Sequence, residues 1–486
     1  MPRTAPLVLG VDSSTQSTKV EARRVADGVV VATGRATHPP TSPPLSEQDP
    51  RAWWSALVEA CAELGSCRDD VVAMAVAGQQ HGLVLIDGEG EPVRPAPLWN
   101  DTTASAAATA LVDDLGATTW ADGCGSVPVA AFTVAKLADL AEREPDVVAR
   151  AAQVMLPHDY LTWRLTGAHV TDRGDASGTG WFDPGAGRYR LDLLGAAVED
   201  PAAWLDLLPD VLGPGALAGE VTDTARAALG LPAGVTVAVG TGDNMAAALG
   251  LGLAPGDVVL SLGTSGTIYS VSATPTADAS GAVAGFADAT GRFLPLVCTL
   301  NATKVTDAMA GWLGTDPAGL SDLALAAGPG PIEVVLVPYF DGERTPNRPD
   351  ASGSVHGLRT GTSREELARA AHDGVVCGLL DGLDALHQAG VAADGALFLV
   401  GGGARSAAYR QRSADLSGAP VRVPDTDEVV ATGAAVQAGA LRRGASTADI
   451  AAEWGLGASS IVEPDPAADR AETRAAYAAV IARPGS

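Results

Sequence analysis

Residues 7–30, LVLGVDSSTQSTKVEARRVADGVV, decide how the rest of the chain is read. Leu7 to Asp12 is a short apolar run, SSTQS is rich in turn formers, and a second run goes from Thr18 to Val25. ADG turns the chain again and a third run begins at Val29. Runs of strand length separated by such clusters predict a β-meander. The order returns in the second half, where Val258 to Leu262 is followed by GTSG and then TIYSVS. A second pair behaves alike. VTVAVG (235–240) enters TGDNMAAALG, and ALFLVG (396–401) enters GGARSAAYRQRSADL, so each reads strand, glycine turn, helix. Two long units with the same order of parts predict duplicated α/β domains facing each other, divided near Ala246 into 1–246 and 247–486.

Length agrees with two domains, because 486 residues exceed the roughly 250–300 at which one hydrophobic core stops growing. Apolar residues make up 47% and charged residues 19%, with no long polar tract, which describes a globular chain. The 58 acidic against 32 basic side chains leave a net charge of −26. Such a surface repels nucleic acid and anionic membranes, and neither is expected as a partner. It repels ATP too, so a nucleotide site has to rely on backbone amides, a few cations and Mg²⁺. Cys61, Cys67, Cys124, Cys298 and Cys377 are far apart and odd in number, and read as reduced, packed thiols. The amino end leads straight into the first strand and no stretch reaches about 18 uninterrupted apolar residues, which reads as a cytoplasmic protein.

Several segments are structural on this reading. DPRAWWSALVEACAELG has Asp49 as an N-cap, Pro50 at the first helical position and an apolar face, so it is an amphipathic helix with Trp53 or Trp54 turned to the core. PPTSPP ahead of it is a rigid, extended surface loop.

The turns carry the chemistry. SSTQS exposes N–H groups and hydroxyls able to surround a phosphate, Lys19 adds a cation, and Asp12 at the strand end suits Mg²⁺, a hard ion that prefers oxygen ligands. Alone, an Asp before a polar turn also fits an ordinary turn residue. Gly263 to Gly266 offers the same chemistry from the second half, with hydroxyls from Thr264 and Ser265. Neither turn has the G-x-x-x-x-G-K-[ST] or G-x-G-x-x-G spacing. LVGGGARS is either a tight strand-to-helix turn or a backbone surface on which an adenosine lies, with Ser406 beside it. Asp243, in GTGDN, opens a helix at the carboxyl end of a strand; it is a cap, a catalytic carboxylate or both.

GVDSSTQSTK, SEQDPRAWW, AGQQHG, LWND, LPHDYLTWRLTG, GTGDN, LSLGTSGT, PYFDGERTP and GGGARS, in this order over nearly the whole chain, resemble the blocks of the FGGY carbohydrate kinases. FTVAKL, SEQDP, LWND and GERTP resemble the xylulokinases within that family more than its glycerol kinases or gluconokinases. The resemblance implies two actin-like, ribonuclease H-like domains, the first binding sugar and carrying the base, the second binding ATP, with direct phosphoryl transfer in the cleft. It implies a metal role for Asp12, phosphate contacts for Ser14, Thr15, Gln16, Lys19, Gly263, Thr264 and Ser265, adenosine contacts for Gly402, Gly403 and Ser406, and a general base at Asp243. Gln80, His81, Trp99, Asn100, Asp101 and Asn244 fall in the sugar-side blocks. The substrate implied is D-xylulose, and a homodimer is an expected state of association. The chain departs from the pattern at Gln80, where methionine is common, at Ser14, where many relatives have glycine, and at Gln16. The competing readings are a kinase for ribulose, gluconate or glycerol, an actin-like ATP-driven switch, and a sugar sensor without turnover.

Overall fold

In the computed structural model, which describes residues 5–426 and 428–483, the opening meander is three antiparallel strands, β1 (Leu7–Ser13), β2 (Ser17–Arg24) and β3 (Val30–Thr37). Helix α1 (Pro50–Glu63) follows, begun by Asp49, whose side chain accepts from the Arg51 N–H. Its Trp53 is fully buried and donates to Gln48 Oε1 at 2.7 Å. Trp54 is half-buried beneath the Arg164 guanidinium, and neither indole reaches a sugar-sized cavity. Strands β4 (Val71–Gly78), β5 (Leu217–Glu220), β6 (Thr236–Ala238) and β7 (Thr241–Gly242) complete the first sheet. The order is β5-β6-β4-β1-β2-β3, with β4 parallel to β1 and to β6, and with β7 continuing along β4.

Helix α2 (Asp243–Gly250) leads into a second sheet of β8 (Val258–Leu262), β9 (Gly266–Ser270), β10 (Ala284–Ala287), β11 (Phe293–Thr299), β12 (Leu397–Val400), β13 (Val421–Pro424) and β14 (Ser459–Val462). Its order is β10-β11-β9-β8-β12-β13-β14. An antiparallel meander continued by two parallel strands is thus built twice. The two sheets repeat one plan, as the duplicated strand-turn-strand pattern predicts.

Alternation along the central strands explains the layers. Leu7, Leu9 and Val11 of β1 join the outer core with Trp53, while Val8 faces the other way. In β8 the residues Val258, Leu260 and Leu262 join the second outer core, and Val259 faces inward. Val8 and Val259 therefore belong to one shared cluster between the sheets. That layer holds α2 and its counterpart α3 (Val429–Arg443), which cross each other, with α3 lying on β1 and β4. The expected division after Ala246 falls inside α2, and α3, late in the chain, covers the first sheet.

Among the described residues no helix is long and apolar enough to cross a membrane.

Candidate active site

Tight pairing of β1 with β2 places Asp12 opposite Lys19 and leaves Ser14 to Gln16 as the turn, closed by the Ser14 N–H donating to Ser17 O at 3.1 Å. Asp12 is buried, and its Oδ1 has no hydrogen-bond partner among the described residues. Burial pushes its carboxyl up to about 6, against the pull of Lys19. Lys19 Nζ lies 3.6 Å from Asp12 Oδ2 and 2.7 Å from Glu428 Oε2, so the cation expected to serve phosphate is shared with two carboxylates. Thr15 Oγ1 donates to Gln79 Oε1 at 3.1 Å and accepts from Trp99 Nε1 at 2.9 Å, while Gln16 is exposed.

The second hairpin closes with the Gly263 N–H donating to Ser265 O at 3.0 Å, leaving Thr264 exposed. Behind it, Ala302 and Thr303 donate their N–H groups to Thr264 O and Gly263 O. β12 runs parallel to β8, so the glycines after β12 come up beside this hairpin. There Gly402 is open, with nothing within 4 Å of a β-carbon position, whereas a β-carbon on Gly403 would strike Leu262 Cβ at 2.7 Å. Gly402 thus offers bare backbone and Gly403 permits close packing. Ser406 caps the helix Ala407–Ser417, accepting from Tyr409 N at 3.3 Å, so its hydroxyl is engaged within the fold.

A cavity of about 270 Å³ joins the halves, lined by Thr15, Gln80, His81, Trp99, Asp243 and Asn244 from the first and by Ser261, Gly263, Ser265, Phe286, Cys298 and Arg344 from the second. Asp243 is the first residue of α2 and Gly242 holds the cap position, so the carboxylate is not a helix cap. Its Oδ1 accepts from Asn244 N at 2.7 Å and from Asn244 Nδ2 at 3.0 Å, and that same Nδ2 donates to Gln80 Oε1 at 2.9 Å. Burial, then the charges of Asp12 and Asp175, push the Asp243 carboxyl up to about 7. A carboxylate so raised near neutrality is matched to accepting a proton.

His81 is the one non-glycine residue with positive φ (66°) among those described. Its ring is held by Nδ1–H donating to Gly178 O at 2.8 Å, since a carbonyl can only accept, which leaves Nε2 as the acceptor. Phe132 stacks on the ring at 5.0 Å and Phe286 lies at 5.5 Å. Burial, aided by the charge of Lys136, lowers His81 to about 3 and keeps it neutral. Its carbonyl accepts from Thr133 Oγ1 at 3.2 Å and from Lys136 Nζ at 3.0 Å, so the strained peptide is pinned from below. Lys136 also donates to Ala131 O; burial lowers its own ammonium to about 7.

Phe286 reaches His81 because β10, the edge of the second sheet, docks on the first half. Gly285 N donates to Gly125 O at 2.8 Å and Ala287 N to Ser177 Oγ at 3.0 Å. The surroundings of the His81 ring are accordingly built by both halves.

Asn100 and Asp101 do not line the cavity, contrary to expectation. Asp101 is buried with Oδ2 accepting from Ser46 N at 2.7 Å and Oδ1 from Thr103 N at 2.9 Å, which ties two loops together. Phe132, Lys136, Phe286 and Arg344 were missed by sequence reasoning; FTVAKL and GERTP marked the segments of Phe132, Lys136 and Arg344, and nothing in the pattern marked Phe286.

Models of the N-terminal and C-terminal domains of the FGGY family of carbohydrate kinases match residues 7–250 and 258–441. The chain belongs to this family and is an ATP-dependent sugar kinase. It is 50% identical over 461 residues to the xylulose kinase of Streptomyces coelicolor, covering 94% of this chain and 92% of that one. The crystal structure of xylulose kinase from Bifidobacterium adolescentis superposes with a TM-score of 0.85 at 41% identity, covering 98% and 99% of the two chains. Glycerol kinase of Plasmodium falciparum, at 19% identity and a TM-score of 0.85, has the same fold.

Proposed function

We propose that the chain transfers the γ-phosphoryl group of Mg-ATP to D-xylulose, giving D-xylulose 5-phosphate, with Asp243 as general base. The observation that carries this reading is one cavity lined by Asp243, a residue of each phosphate hairpin, and the His81 wall. The relatives named xylulose kinase supply the sugar.

Substrate oxygens meet Nε2 of the neutral His81 as acceptor and the Gln80 Nε2 amide, a buried donor with no partner among the described residues. Asn244 holds both Gln80 and Asp243, so sugar and base are set by one side chain. The attacking hydroxyl gives its proton to Asp243 as its bond to the γ-phosphorus forms and the bond from that phosphorus to the β,γ-bridging oxygen breaks, with ADP leaving, and amides of the two turns stabilise charge on the phosphoryl oxygens. The orphaned Asp12 Oδ1 fits a Mg²⁺ site, and the ion when bound neutralises phosphate charge.

A coupled ADP-release assay over D-xylulose, D-ribulose, gluconate and glycerol tests the reading. D-Xylulose is expected to show the highest kcat/KM; a much higher value for another substrate overturns the sugar assignment and leaves the family intact.

A further inference from the structure

Arg344 lines the cavity from the second half, beside Cys298 and Leu300. Its backbone N–H donates to Glu343 Oε1 at 2.8 Å, but its guanidinium makes no hydrogen bond and no ion pair among the described residues. The other cations around the cleft are answered: Lys19 by Asp12 and Glu428, Lys304 by Asp341, and Lys136 by two carbonyls. In a chain with 58 acidic residues, a half-buried guanidinium left without a carboxylate stands ready for an oxygen-rich ligand.

The charge of Arg344 acts on His81, Lys136 and Cys298, which surround the sugar-side wall. The backbone beneath it is also anchored, because the buried Glu343 accepts from Leu300 N at 2.6 Å and from Asn301 Nδ2 at 2.9 Å. The next two residues, Ala302 and Thr303, hold Thr264 and Gly263 of the phosphate hairpin. A short hydrogen-bonded strap therefore runs from Arg344 to the second phosphate turn.

We propose that Arg344 donates hydrogen bonds to oxygens of the bound sugar from the second half, so that the sugar bridges His81 and Arg344 and, through Glu343, sets the hairpin that receives ATP. The inference rests on the sugar-kinase reading of this cavity. It supplies acceptor oxygens to a guanidinium that has none among the described residues, and it makes sugar occupancy a condition for tight nucleotide binding.

Arg344→Met and Arg344→Lys are measured beside the parent for sugar KM, for ATP KM, and for nucleotide affinity with and without sugar by calorimetry on a non-hydrolysable ATP analogue. The sugar is whichever one the parent turns over best, so an error in the substrate assignment leaves this test intact. Loss of a charge-assisted hydrogen bond is expected to raise sugar KM by about ten- to a hundredfold for Met and less for Lys. Sugar-free nucleotide affinity is expected to stay within about twofold, and the tightening by sugar to vanish. An unchanged sugar KM overturns the proposal. So does a loss of sugar-free nucleotide affinity, which would place Arg344 on the phosphates. Thermal melting identifies a misfolded Met variant, and the Lys variant then decides by the same two readings.

Discussion

A β-carbon on Gly433 would stand 1.9 Å from the carbonyl oxygen of Ala246, because α2 and α3 cross there with backbone against backbone. The contact repeats nearby, where a β-carbon on Gly250 would meet Val429 O, also at 1.9 Å. Asp243, proposed as the general base, begins the same helix as Ala246, so its geometry depends on this crossing.

Gly433→Ala is therefore expected to lower stability by about 1–3 kcal/mol and to lower kcat more than it raises either KM. Urea unfolding with steady-state kinetics checks this. A variant with parental stability and kcat would show that the crossing yields without cost.

Asp243→Asn is expected to lower kcat by about 10²–10⁴-fold or more while sugar and nucleotide still bind, since the amide keeps the shape and loses the proton acceptor. Single-turnover kinetics and calorimetry separate the steps. Near-parental kcat would remove Asp243 from catalysis.

The raised Asp243 carboxyl also predicts pH behaviour. Its pKa rises from 3.8 to about 7 through burial first, then Asp12 and Asp175. The folded state thus holds this proton more tightly than the unfolded chain does. Its stabilising share is complete below the unfolded value and is lost as pH rises through 7. The advantage of Asp243→Asn in melting should accordingly grow as pH rises from acid to neutral, reaching about 1–3 kcal/mol above pH 7 after discount for solvent contact. In the parent, kcat/KM should rise with pH through the same range. A flat profile in both measurements would show an ordinary carboxylate.

His81→Ala is expected to raise sugar KM about five- to 150-fold with little change in ATP KM. With His81 held neutral by its low pKa, that penalty should stay constant from about pH 5.5 to 8. A penalty that disappears at the acid end would mean that the ring titrates.

On the proposed function residues of both turns contact one ATP, and the halves are expected to close further on it than in the cavity they already share. Small-angle scattering should give a smaller radius of gyration with sugar and a non-hydrolysable nucleotide together than without them. An identical profile would argue against a hinge.

Sequence alone determined the features that arise from neighbours along the chain. The period of two in β1 and β8, the polar turns between strands, Asp49 and Pro50 at the start of α1, and a carboxylate opening the helix after the strand in GTGDN are all local chemistry. They were legible for that reason. Tertiary structure decided the rest. Asp101 looked like a site residue but spends both oxygens on Ser46 and Thr103, and of the cap and the carboxylate readings of Asp243 only the cap is excluded, because Gly242 holds that position. The surroundings of His81 are completed by Phe132 and Lys136 from another segment of the first half and by Phe286, which the docking of β10 brings in. Burial and hydrogen-bond satisfaction are set by groups far apart in the chain, and no pattern read along one segment contains them.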